Sequence, residues 1–272
     1  MQQKTNQYFF TLFITIAFFV SSFLVVSAQE IDTIIPINDN PEKILRKIDI
    51  REMPVHGFNF WRDKFSGHWA GIDFGFNTFL NTDYSNYNSE FMKNDILRSN
   101  SYYVNLFQQS FGLQRNLNTI GLVTGLGINF KNYRLDKNTT IERNANDEIV
   151  PKYIYFDDNQ KSKLTITSLL IPLLVEFQIP VNHYNNRLYL SAGMYFEYRL
   201  GSNTKIKYKK IHREKLKVPD HFSMHDFTYG LMLRTGYRWI NVFATYKITP
   251  LFKEEKGPEL TPFTIGFTLL QF

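Results

Sequence analysis

"GHWAGIDFGFN", residues 67–77, sets apolar Ala70, Ile72, Phe74 and Phe76 against Gly71, Asp73, Gly75 and Asn77. Successive side chains of a strand point to opposite sides of a sheet. A period of two therefore describes a strand with one apolar face and one small, polar face. In a water-soluble barrel the apolar face turns inward. In a membrane barrel it turns out to lipid and the polar face lines the lumen.

The same pattern recurs along the chain. In "IGLVTGLGINFKNY", Ile120, Leu122, Leu126, Ile128 and Phe130 oppose Gly121, Gly125, Gly127, Asn129 and Lys131. In "TSLLIPLLVEFQIP", Leu169, Ile171, Leu173, Val175, Phe177 and Ile179 oppose Ser168, Pro172, Glu176 and Gln178. "RLYLSAGMYFEYRL" sets Leu188, Leu190, Ala192, Met194, Phe196 and Tyr198 against Tyr189, Ser191, Gly193, Glu197 and Arg199. Further strands follow in "FTYGLMLRTGYR", "INVFATYKI" and the closing "FTIGFTLLQF", where Phe263, Ile265, Phe267 and Leu269 oppose Thr264, Gly266 and Thr268. The segment Tyr102–Leu113 completes the set, with Gln108 and Gln109 blurring its alternation. The fold expected is all-β: an eight-stranded antiparallel up-and-down transmembrane β-barrel.

The connections support the membrane reading. "QRNLNT", "PVNHYNN" and "RW" are short, whereas the stretches near 81–100, 136–163 and 201–226 are long. Outer-membrane barrels show this asymmetry, with short periplasmic turns and long external loops. A strand of about twelve residues, tilted ~40°, spans roughly 30 Å, close to the apolar band of such barrels. An inward set of Gly, Ser, Thr, Asn, Glu, Arg and Lys suits a lumen better than a soluble core.

The start of the chain reads as an export address. Lys4 is the one charged residue before the apolar run Tyr8–Val26, and Val26-Ser27-Ala28 forms a small-residue cleavage pattern. Residues 1–28 are expected to be a signal peptide, 29–65 an N-terminal periplasmic segment, and 66–272 the barrel. Within 29–65, Asn40-Pro41-Glu42 is expected to open a short helix through Ile48. The chain has no cysteine, which excludes disulfide staples, thiolate metal sites and cysteine catalysis. A net charge of +6 in an exported chain points to anionic lipid or polysaccharide, not nucleic acid. Aromatic residues make up 17%, which suits strands and membrane interfaces.

"KFSGHWAGIDFGFN", "GLVTGLGINFKNY", "IPLLVEFQIP" and "TPFTIGFTLLQF" together resemble the PorT-like outer-membrane β-barrel proteins of Gram-negative bacteria, over Phe65–Phe272. The resemblance implies a small monomeric barrel, linked in founding members to type IX secretion, and brings no catalytic residues. Phe272 matches the aromatic last residue read by the barrel-assembly machinery, although it lies out of phase with Phe263, Ile265, Phe267 and Leu269.

Candidate chemistry falls in three places. "DHFSMHD" holds Asp220, His221, Ser223, His225 and Asp226, with His212 nearby. Two His four apart suggest a metal or a hydrolase, but on a loop with no third ligand fixed by spacing they read as solvated residues. Lys205, Lys207, Lys209, Lys210, Arg213, Lys215 and Lys217 form a basic stretch suited to lipopolysaccharide or to solvent at a loop tip. Inward charges form the third group: acids Asp73, Glu176 and Glu197, and bases Lys131, Arg199, Arg234, Arg238 and Lys247. In so narrow a barrel they are expected to pair and fill the lumen.

The function expected is non-enzymatic, structural or secretion-accessory, in the cell outer membrane, without cofactor or metal. The expected partners are outer-membrane lipid, lipopolysaccharide, the barrel-assembly machinery and secretion-complex proteins, with the protein a monomer. An outer-membrane enzyme acting on lipid or peptide, and a soluble periplasmic ligand-binding barrel, are the alternatives.

Overall fold

A computed structural model of the chain describes residues 65–87, 89–114, 118–136, 138–156, 159–181, 187–209 and 213–271. The signal-peptide and short-helix readings, His212, Lys210 and Phe272 lie outside these residues. So does the 29–65 segment except for Phe65.

Eight strands close into a ring. They are β1 (Gly71–Asp83), β2 (Asn100–Gly112), β3 (Ile120–Arg134), β6 (Lys161–Pro180), β7 (Arg187–Lys209), β9 (Phe227–Tyr237), β10 (Ile240–Lys247) and β11 (Glu259–Gln271). Each pairs antiparallel with the next in the ring, and β11 returns to β1 through pairs such as Phe74↔Phe267 and Phe76↔Ile265. Closure removes the unpaired edges that an open sheet would leave. The alternation predicted from sequence sorts the faces. On β6, Ile171, Leu173, Phe177 and Ile179 are 43–60% exposed, while Leu170, Leu174 and Glu176 between them are at most 1% exposed. Long aliphatic side chains thus stand on the outer surface while a glutamate is sealed inside. That arrangement fits a barrel whose solvent is lipid.

β2 explains its own weak signal. Its register to β3 slips between Asn105 and Phe107, a bulge that places Leu106 and Phe107 side by side on the outer face. A bulge shifts the phase by one residue. Ser101, Tyr103 and Asn105 face in before it, and Gln108 and Ser110 face in after it.

Two stretches expected as loops are partly strand. The connection after β3 carries a hairpin, β4 (Thr139–Arg143) with β5 (Ile149–Tyr153). The connection read as Gly201–Asp226 is a continuation of β7 to Lys209, from which β8 (Arg213–Pro219) returns alongside. β6 and β7 stay paired up to Lys161↔Lys207, so a three-stranded ribbon rises from the ring. These long connections pack over one end of the lumen. Phe91, Met92, Ile141, Ile149, Phe222, Met224, Leu251 and Phe252 bury there with the strand-end residues Phe79, Tyr133, Leu164 and Ile166. Phe79 and Tyr133 stack at 4.5 Å. The Ile149 N–H donates to the Lys256 carbonyl (2.7 Å), and the Ser223 hydroxyl donates to the Asp147 carbonyl (2.6 Å). The long connections therefore form a cap with an apolar core, not a fringe of solvated loops.

The start of the barrel domain also differs from the strand pattern. Strand β1 begins at Gly71, and Ala70, read as its first outward residue, is buried. Phe65 and Trp69 are buried with it, against the lumen residues Tyr103, Val123, Leu170 and Phe243. Residues 65–70 thus enter the barrel from the end of the short turns.

Candidate functional site

The lumen is filled in layers, and each inward acid anchors one of them. Nearest the short turns, Glu176 of β6 accepts from the His68 backbone N–H (3.1 Å), the Ser191 hydroxyl (2.6 Å) and the Gln178 amide (2.7 Å). The His68 ring nitrogen Nδ1 lies 2.6 Å from Oε1 of Glu176, the oxygen that also accepts from Gln178, and the imidazole stacks on Tyr189 at 4.2 Å. Gln108, turned inward by the β2 bulge, accepts the backbone N–H groups of Trp69 (2.5 Å) and Ala70 (3.0 Å) and donates to the Gly67 carbonyl (2.9 Å). The backbone of 67–70 cannot pair with a strand inside the lumen. Glutamine and glutamate side chains take the place of a ladder.

Glycines leave the space for this plug. A Cβ on Gly125 would stand 2.7 Å from both Cδ1 and Nε1 of Trp69, and one on Gly121 would run into the Phe65 ring. Both glycines lie on the inward face of β3.

Above the plug, Asp73 of β1 meets Arg234 of β9, three strands away around the ring. The guanidinium forks onto one carboxylate, Nη1–Oδ2 at 2.8 Å and Nη2–Oδ1 at 3.2 Å. Asn105 (2.8 Å) and Thr268 (2.7 Å) donate to the same carboxylate. Arg234 lies over the rings of Trp69 (5.2 Å) and Phe243 (5.7 Å), which adds cation–π attraction in a dry setting.

One layer further up, Glu197 of β7 takes Lys131 from β3 (2.7 Å) and Lys247 from β10 (2.6 Å), one from each side of the lumen. Asn129 donates to the same carboxylate at 2.7 Å. The ammonium of Lys131 lies 5.9 Å from the Tyr103 ring centroid and 5.8 Å from that of Tyr195. Charges from strands that share no hydrogen bonds meet only because the sheet is closed.

Six of the eight charges named from sequence occupy these layers: Asp73, Arg234, Glu176, Glu197, Lys131 and Lys247. The partner of Glu176 is the plug residue His68, and those of Glu197 are lysines, not arginines. Two charges lie elsewhere. Arg238 is a correction: it sits exposed in the β9–β10 turn at φ 56°, its guanidinium 5.8 Å from its neighbour Tyr237. Periodicity carried it one step past the end of the strand. Arg199 points inward but belongs to the cap. β7 slips register opposite Thr167/Ser168, and Arg199 pairs with Asp226 while donating to the His225 (3.4 Å) and Met224 (3.4 Å) carbonyls. The lumen is also more apolar than the sequence suggested. Tyr103, Leu170, Leu174, Tyr195, Met232 and Phe243 share it with the polar groups.

His221 Nδ1 lies 3.4 Å from the Arg199 guanidinium. Burial, then the nearby Lys253, holds His225 below the ordinary histidine range, so it is neutral near pH 7. Among the described residues no three His, Asp or Glu side chains are grouped to hold a metal. The basic stretch, apart from Lys210, lies on the β7–β8 ribbon.

The family model described as an outer membrane protein beta-barrel domain matches residues 63–253, from just before the plug to just past β10. No curated protein and no solved structure matches the chain.

Proposed function

Since the chain belongs to the family of outer membrane proteins with a β-barrel domain, we propose that it works in the outer membrane as a non-enzymatic barrel with a structural or secretion-accessory role. The observation that carries this reading is the filled lumen. An eight-stranded ring has room for side chains and little else. Here three buried carboxylates with their hydrogen-bonded or ion-paired partners, the plug 65–70 and an apolar cap occupy it from end to end. A barrel sealed in this way offers its outer wall and its cap as working surfaces. The resemblance to PorT-like proteins favours the secretion-accessory form of the role. The His221–His225 loop fits it too, since the His225 and Met224 carbonyls serve to seat Arg199.

Affinity purification after cross-linking in intact cells tests the proposal. The expected result is reproducible enrichment of other envelope proteins of an export machinery, with export impaired when the gene is deleted. A protein recovered alone, together with normal export in the deletion strain, would contradict it.

A further inference from the structure

The β6–β7–β8 ribbon carries a charge pattern that its fold does not need. Lys161, Lys207 and Lys215 are direct cross-strand partners, and so are Lys163, Lys205 and Lys217. Residues directly opposite on paired strands share a face of the sheet. The ribbon therefore shows two rungs of three lysines each. The face between them is the outward one, because Ser162, Leu164, Thr204 and Ile206 at the alternate positions are buried. A cleft borders the upper rung, lined by Lys161, Lys207, Lys209 and Lys215 together with Tyr208 and Glu214.

Like charges directly opposite in a sheet are destabilising. Nothing within the described fold relieves the repulsion, since none of the six lysines has an ion-pair partner there. Glu214 accepts from the Tyr208 hydroxyl at 2.7 Å, and Lys163 reaches only the neutral Asn132 at 2.7 Å. Lysines on an edge strand are a common guard against unwanted pairing, which accounts for Lys215 and Lys217 on β8. It does not account for Lys163, Lys205 and Lys207, each of which is paired with a strand on both sides.

Position selects the partner. Down the same outward face, the lysines of β6 are followed by Thr165 and Thr167 and then by the apolar run Leu169, Ile171, Leu173. Six residues of tilted strand put the lower rung roughly 15 Å above the start of that run. A molecule with acyl chains against the apolar wall would bring its headgroup to the lysines. We infer that the two lysine rungs bind the phosphorylated saccharide headgroup of an outer-leaflet glycolipid of the lipopolysaccharide type. Lysines near a membrane surface each add to the attraction for anionic lipid, and a rigid ladder presents six at once.

Purified, folded protein titrated with lipopolysaccharide tests this. Binding should fall steeply as salt rises, and the K205Q/K207Q/K215Q/K217Q variant should bind roughly a hundredfold more weakly. A control lacking four other lysines, K93Q/K152Q/K253Q/K256Q, should bind like the parent. Folding of each variant is read from its shift in gel mobility on boiling. Salt-insensitive binding, or a rung variant within about twofold of the parent, overturns the inference. Equally tight binding of the deacylated saccharide also overturns it, since the partner would then be a soluble polyanion. The inference rests on the outer-membrane reading above, with the ribbon facing outside. Surface labelling of an A145C variant in the β4–β5 turn of intact cells tests that part alone. No labelling removes both readings, whereas labelling with unchanged binding removes only this one.

Discussion

Glu197→Ala is expected to lower unfolding stability by about 3–5 kcal/mol. The carboxylate is 1% exposed and holds the ammonium groups of Lys131 and Lys247, whose side chains are 3% and 7% exposed. Truncation would leave two buried cations and no anion between them. Loss of one member of a buried pair costs far more than the pair contributes, because the remaining charge keeps its desolvation penalty. Glu197→Gln, which preserves shape and loses the charge, should show the same direction. Replacing both lysines by methionine in the Glu197→Ala background should restore most of the loss, since apolar groups of similar volume replace buried ion pairs at little cost. Urea unfolding of protein refolded into lipid vesicles measures all of these variants. An E197A protein within about 1 kcal/mol of the parent would show that the three side chains do not form one network.

The second large effect is expected at the plug. Trp69→Ala should cost about 3–5 kcal/mol, the range for emptying a buried aromatic site. Trp69 is 1% exposed inside the ring, so its loss leaves a cavity and uncovers one face of Arg234. Gly125→Ala should destabilise in parallel, by about 1–3 kcal/mol, because the added methyl meets the same indole and the Phe107 carbonyl. Both variants should still close into a barrel, with mobility that changes on boiling. Were Trp69 instead an interfacial residue on the outer wall, its replacement would cost well under 1 kcal/mol and the glycine change would be silent.

The sequence displays the ring more clearly than its contents. Alternation alone locates all eight strands because each must present an apolar face to lipid and a different face to the lumen, and period two records both. It weakens at β2, where the bulge at Asn105/Phe107 shifts the phase, and it runs past its end at Arg238, where the chain has turned. The β7–β8 ribbon was written in the same period: Lys205, Lys207 and Lys209 alternate with Ile206 and Tyr208 on β7, and Lys215 and Lys217 with Leu216 and Val218 on β8. Its charge suggested a solvated tip, and charge describes one face of a strand as readily as a loop. The plug left a subtler mark. Gly121 and Gly125 on the inward face of β3 resembled ordinary small lumen residues. Their meaning lay in the aromatic rings of Phe65 and Trp69, some 55 positions earlier in the chain, and period two within a strand carries no information about such partners. The inward acids and bases were legible one by one. Their pairing was not, because which lysine meets Glu197 depends on shear and strand tilt around the closed ring.

The sealed lumen is tested most directly by ion conductance across a planar lipid bilayer containing the purified, refolded protein. Lys131–Glu197–Lys247, Asp73–Arg234 and the 65–70 plug fill successive levels of the interior, and the cap closes the end of the long connections. The predicted result is a bilayer whose current stays at the lipid baseline, with no steady openings at any applied voltage. Sustained large-conductance channels from the unmodified protein would contradict it.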